Sequence, residues 1–89
     1  MSDSISVSIL NAEGTVFEGE AKALTSTNEM GLFDVLPMHS NFISIIKDKV
    51  IVQLKTGADK EFKFDSAILK AAENKIQVFL GIETLAWQP

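Results

Sequence analysis

The side chain best equipped for chemistry is His39, the single histidine of this 89-residue chain, which precedes Ser40 and stands five positions after Asp34. Imidazole is the common general base and metal ligand near neutral pH, so both uses are weighed first. A zinc centre takes about four ligands, and with no cysteine in the chain His39 and Asp34 supply only two. A nucleophilic serine needs a base in reach and a third group to orient that base. Neighbours on a strand point to opposite faces, which makes His39 and Ser40 a poor couple. The carboxylate pairs Glu18/Glu20 and Asp59/Glu61 are two apart and face one way along a strand, as a solvated edge does. The five glycines, Gly14, Gly19, Gly31, Gly57 and Gly81, are dispersed, leaving no loop to cradle a phosphate. These residues predict no catalytic, metal or cofactor site, and an enzyme using His39 as base is the least supported reading.

Charge narrows the partners. Twelve acids face eight bases, every base is a lysine, and the net charge is −4. Arginine supplies the planar fork that grips phosphates and guanine edges, and the lysines are scattered singly, so nucleic acid is excluded as a partner. Met1-Ser2-Asp3-Ser4 lacks a basic start, and no apolar run approaches the roughly 20 residues that span a bilayer. Neither a signal peptide nor a membrane helix is predicted. Without cysteine, disulfides are excluded and stability must come from packing. A chain this short, 46% hydrophobic, makes one domain over residues 1–89, burying roughly 60–65% of its unfolded surface.

The elements that must position these side chains are strands. Ile5, Val7 and Ile9 alternate with Ser4, Ser6 and Ser8, the period of a half-buried strand. Val16 to Thr27 reads as an outer strand that ends in the turn Asn28-Glu29-Met30-Gly31. Phe42, Ile43, Ile45 and Ile46 lead to Lys47-Asp48-Lys49, a connection of hairpin length, before Val50, Val52 and Leu54 resume the alternation. Thr56-Gly57-Ala58-Asp59 predicts a second hairpin into Phe62 and Phe64, and Ile76, Val78 and Leu80 a final strand. Short strands at regular spacing predict an all-β sandwich or barrel. Ser66 to Glu73 stands apart, having helical composition and a serine placed to cap a first turn.

The most informative stretch is 31–42, GLFDVLPMHSNF. Phe33, Val35 and Phe42 read as core. Leu36, Met38 and His39 flank Pro37, which fixes its own φ, lacks a donor and sits at exposed turns, so they read as a contact surface for a partner. Trp87, the only tryptophan, has two open readings, as a cap on the core or as a plug in an interface.

Asn11-Ala12-Glu13, Phe17-Glu18-Gly19, Gly31-Leu32-Phe33-Asp34-Val35 and Pro37-Met38-His39, in this order and spacing, resemble the amino-terminal β-sandwich of the epsilon subunit of F-type ATP synthases over nearly the whole chain. The resemblance implies a flattened β-sandwich of about ten mostly antiparallel strands, with a strand and turn across 66–73 in place of a helix. It implies a central-stalk rotor subunit, without catalysis or cofactor of its own, that couples the gamma subunit to the c ring of a proton- or sodium-driven synthase. By that match Gly31, Leu32, Leu36, Pro37, Met38 and His39 are the c-ring contacts, and Asn11, Ala12 and Glu13 the gamma contacts. The protein would be a monomer when isolated, and a peripheral one on the cytoplasmic face of the inner membrane, held there through the c ring.

The chain departs from the family pattern in four places. Leu32 replaces a glutamate, Asp34 and Met38 replace glycines, and Ser66-Ala67 replaces paired glycines. Full-length members continue into two regulatory helices, which the resemblance does not reach, so coupling and assembly are the expected task. The alternative reading is a free-standing ligand-binding or carrier β-sandwich, which needs an internal pocket.

Overall fold

The computed structural model describes residues 4–38 and 41–81, and its regular structure is entirely strand. The strands are β1 (Ile5–Asn11), β2 (Gly14–Asn28), β3 (Gly31–Val35), β4 (Phe42–Leu54), β5 (Asp59–Ala72) and β6 (Lys75–Leu80). They pair in the order β1-β6-β5-β4-β2-β3, and an added β1–β2 pairing closes the sheet on itself. The first and last strands run parallel, with Val7 beside Ile76, while every other pairing is antiparallel.

The described residues form six strands and not about ten, because three long strands serve both layers of the sandwich. β2 pairs with β1 over residues 14–21 and with β3 and β4 over 21–28. β4 meets β2 only from Lys47 onward, and β5 meets β6 only from Ala67 onward. Register shifts fall at these crossings, between Ala21 and Ala23 on β2 and between Lys47 and Asp48 on β4. A bulge bends a strand and raises its twist, which lets it leave one layer for the other without breaking.

Two further expectations are corrected by the same feature. Lys47-Asp48-Lys49 is no hairpin, since β4 runs unbroken from Phe42 to Leu54. On the β2 side Thr27 pairs with Lys47 and Ser26 with Val50, so Asp48 and Lys49 are the extra residues of a bulge, and Asp48 takes a φ of +77° there. An equally long β5 carries the pairing through, and the charged side chains find water without a chain reversal. Nor is all of β2 an outer strand, because its second half lies between β3 and β4. The turn through Thr56 and Gly57 does reverse the chain. Leu54 N–H donates to the Ala58 carbonyl at 2.8 Å, and Gly57 N–H to that of Leu54 at 2.9 Å.

Residues 66–72 are strand in spite of their helical composition. Ala67, Leu69 and Ala71 are buried while Ile68, Lys70 and Ala72 point outward, and neighbours on both sides saturate the backbone. Pairing with β4 and β6 outweighs a weak local preference. Glu73 and Asn74, with φ of +53° and +64°, form a two-residue hairpin loop of the kind whose twist matches the flanking strands.

The core lies between the layers. Ile5, Val7, Ile9, Leu24, Ile46, Val50, Val52, Leu69, Ile76 and Val78 are fully buried, and the predicted alternation of β1 and β6 holds. Val35 is buried, and Phe33 and Phe42 pack against the core with their rings in a T-shaped arrangement, centroids 6.2 Å apart. Phe17 meets Phe62 at 5.5 Å. Gly19 makes this possible, because the tip of the Phe17 ring lies 3.1 Å from where a Cβ on Gly19 would stand. Ser26, buried among these residues, donates its hydroxyl to the Lys49 carbonyl at 2.8 Å. A cavity lined by Ile5, Val35, Leu36 and residues 71–76 measures about 10 Å³, hardly room for one water. The side chains packed between the layers, ten of them large and fully buried, do not favour the carrier reading. Among the described residues no helix is long and apolar enough to cross a membrane.

Candidate partner-binding surfaces

Asn11, Ala12 and Glu13 form the exposed tip of the β1–β2 hairpin, where Asn11 pairs with Gly14. The Asn11 carboxamide oxygen accepts from Glu13 N–H at 2.9 Å and from Gly14 N–H at 3.1 Å. This side-chain mimic of a turn fixes the tip and satisfies donors that the sheet leaves over. Gly14 follows with a φ of +134°, which a side chain would resist.

Leu36, Pro37 and Met38 form a turn at the other end of β1, where Leu36 lines the small cavity together with Ile5. Over the six steps from Ile5 to Asn11 the two tips are separated by roughly 20 Å of strand. Leu36 is 44% exposed and Met38 69%, so both present apolar surface to water. The turn is anchored through Asn74, whose side-chain oxygen accepts from Met38 N–H at 2.6 Å and whose carbonyl accepts from Ser6 N–H at 2.9 Å. The Asn41 side chain accepts from Glu73 N–H at 3.1 Å, which adds the start of β4 to the same knot. Met38 itself has a φ of +65°, a left-handed conformation suited to the glycine that it replaces in the family pattern.

Gly31 and Leu32 are not beside this turn. They begin β3, and its length of roughly 13 Å separates them from Leu36. Gly31, at a φ of +115°, closes the β2–β3 hairpin, and Leu32 projects outward at 76% exposure. Asp34 accepts a 2.6 Å bond from the Thr25 hydroxyl on the neighbouring strand. His39, Ser40 and Trp87 lie outside the described residues.

Ile43 and Ile45 were legible only as strand residues. The structure turns them outward, at 69% and 70% exposure, and places Phe42, Ser44 and Ile46 on the inner side. The signal that could have found them is the period through Phe42 and Ile46, which sets the phase of the strand and leaves the two isoleucines on the other face. Ser44 is kept inside by a 3.1 Å bond from the Asn28 carboxamide. Among the described residues no three His, Cys, Asp or Glu side chains converge to hold a metal.

A family model described as the β-sandwich domain of the ATP synthase delta/epsilon chain matches residues 4–81. An ATP synthase epsilon chain of Nitratiruptor is 31% identical over 74 residues, covering 82% of this chain and 57% of that relative. One from Stenotrophomonas maltophilia strain K279a is 31% identical over 71 residues, covering 79% of this chain and 51% of its own length. The chain thus spans about half the length of the curated relatives that it matches. In fold it is similar to a chain of the Euglena gracilis mitochondrial ATP synthase OSCP/F1/c-ring structure, with a TM-score of 0.82 at 12% identity, over 97% of this chain and 61% of that one. A chain of the Tetrahymena thermophila mitochondrial central stalk and c-ring structure superposes with a TM-score of 0.69 at 8% identity, over 85% of this chain and 62% of that one.

Proposed function

The chain belongs to the delta/epsilon β-sandwich family of ATP synthase, and from that membership we propose that it is a central-stalk rotor subunit coupling gamma to the c ring of a proton- or sodium-driven synthase. It performs no catalysis. The observation that carries the reading is the placement of two anchored turns, Asn11–Glu13 and Leu36–Met38, at opposite ends of one strand whose inner face is fully buried. A coupling piece has to hold two neighbours at a constant separation under torque. A closed sheet with a close-packed interior deforms little, and its long strands continue through both layers.

Asn11, Ala12 and Glu13 are the contacts for gamma, and Leu36, Pro37, Met38 and His39, with Gly31 and Leu32 on the β2–β3 hairpin, those for the c ring. The protein sits at the cytoplasmic face of the inner membrane as a peripheral subunit, held there through the ring. The test is co-purification with gamma after co-expression, followed by addition of detergent-solubilised c ring. Gamma should be retained by the wild type and lost on Ala12→Asp, and the ring should be lost on Met38→Asp with gamma still bound. Failure of the wild-type chain to retain gamma would refute the reading.

A further inference from the structure

Met30 and Met38 are the two methionines among the described residues, and they are 90% and 69% exposed. They bracket β3, Met30 standing just before Gly31 and Met38 just beyond Pro37. An asparagine holds the main chain of each. The Asn28 side-chain oxygen accepts from Met30 N–H at 2.8 Å, as that of Asn74 does from Met38 N–H at 2.6 Å. The backbone is fixed at both places while the thioethers reach into water.

Hydroperoxides oxidise side-chain sulfur readily, and cysteine, the usual first target, is absent from this chain. Met1, the remaining methionine, lies outside the described residues. The buried apolar residues are all isoleucine, valine, leucine or alanine, which carry no sulfur. Among the described residues an oxidant therefore meets a thioether at either end of β3 and none in the core. The fold has nothing to lose by that reaction, whereas the surface changes character. A sulfoxide is polar and accepts hydrogen bonds, so seating it against an apolar partner without a donor costs affinity.

We propose that Met30 and Met38 are sites of reversible oxidation by hydrogen peroxide or an organic hydroperoxide, and that their sulfoxides keep the c ring from docking while gamma still binds at Asn11, Ala12 and Glu13. The docking half rests on the rotor reading above, and the oxidation half does not. The sulfur lone pair attacks the terminal peroxide oxygen, and the S–O bond forms as the O–O bond breaks. The proton of the transferred hydroxyl passes to the departing hydroxide or alkoxide. Sulfur is oxidised by two electrons, and the peroxide is reduced to water or an alcohol. A thiol-dependent sulfoxide reductase reverses the step, two thiols becoming a disulfide and the oxygen leaving as water. A seated ring covers both thioethers, so the free subunit is the reactive form and reassembly is what oxidation prevents.

The experiment treats the free 89-residue chain with hydrogen peroxide and removes the oxidant before any partner is added. Peptide mass mapping should find one added oxygen at Met30 and one at Met38, each formed within about threefold of the rate for methionine in a short unstructured peptide. The melting midpoint should move by less than about 4 °C, as a surface change does. Retention on a hydrophobic-interaction column should fall, and the oxidised chain should hold the c ring about tenfold less well with gamma retained as before. Methionine sulfoxide reductase should restore both properties. A double variant, Met30→Leu with Met38→Leu, keeps the apolar bulk without sulfur and should dock the ring equally before and after peroxide. Oxidation of either methionine more than about tenfold slower than in the peptide, unchanged ring retention after full conversion, or the same loss in the leucine variant would overturn the proposal. An untreated chain that retains neither gamma nor ring refutes the rotor reading and with it the docking half, and mass mapping and the column then decide the oxidation sites alone.

Discussion

Replacing Asn74 by glycine should loosen the Leu36–Met38 turn while leaving the sheet closed. Asn74 sits at a φ of +64°, which glycine adopts without strain, so the substitution removes the side-chain acceptor of Met38 N–H and keeps the hairpin conformation. The bond from Ser6 N–H goes to the main-chain carbonyl of Asn74 and survives. A net hydrogen bond is worth about 0.5–1.5 kcal/mol, and the extra freedom of glycine in the unfolded chain is offset by release of the left-handed backbone, giving a loss of about 0.5–1.5 kcal/mol. For a domain of this size each kcal/mol moves the melting midpoint by about 4–8 °C, so calorimetry should show a fall of roughly 2–12 °C. Hydrogen exchange separates the two contributions, because only the lost bond exposes the Met38 amide, which should exchange about five- to tenfold faster. Asn74→Asp retains an acceptor oxygen and tolerates the left-handed backbone, so it should stay near wild type in both measurements. Unchanged Met38 exchange in the glycine variant, or an aspartate variant as damaged as the glycine one, would refute the assignment of Asn74 as the anchor of this turn.

Met38→Gly should raise stability, because the left-handed backbone costs about 1–2 kcal/mol in a residue with a Cβ and the entropy of glycine offsets about half of that. A urea midpoint lower than wild type would contradict this. Asn11→Ala deletes the acceptor of both Glu13 and Gly14 N–H and should cost about 1 kcal/mol, seen as faster exchange of those two amides with little change elsewhere. Leu69→Ala opens a cavity between the layers and should cost about 2–5 kcal/mol by chemical denaturation; a loss under about 1 kcal/mol would mean that Leu69 is not in the core.

Much of the architecture was legible because it rests on a local period. The alternation of Ile5, Val7 and Ile9, and that of Ile76 and Val78, marks the buried faces of β1 and β6, and glycine marks the turns at Gly31 and Gly57. Legibility failed where the chain bends without turning. Lys47-Asp48-Lys49 has the length and polarity of a hairpin loop, but a bulge has the same local appearance, and only the presence of a partner strand long enough to pair on both sides tells them apart. The helical composition of Ser66 to Glu73 misleads for a related reason, since sheet hydrogen bonds come from β4 and β6, outside the segment.

The candidate surfaces divide along the same line. Asn11-Ala12-Glu13 and Leu36-Pro37-Met38 could be read as turns from the chain, because asparagine and proline act on the backbone within a few residues. Their disposition at the two ends of β1, and the Asn74 that holds the second, arise from contacts distant in sequence, Met38 with Asn74 across 36 positions and Ser6 with Asn74 across still more. What composition and spacing determine by themselves is a chain that is strand outside Ser66 to Glu73, with the family's turn signatures, a single histidine, no cysteine and no arginine. Tertiary structure alone decided how the strands pair and serve both layers, and which isoleucines face water. Those properties depend on register, and register is set by pairing between distant segments.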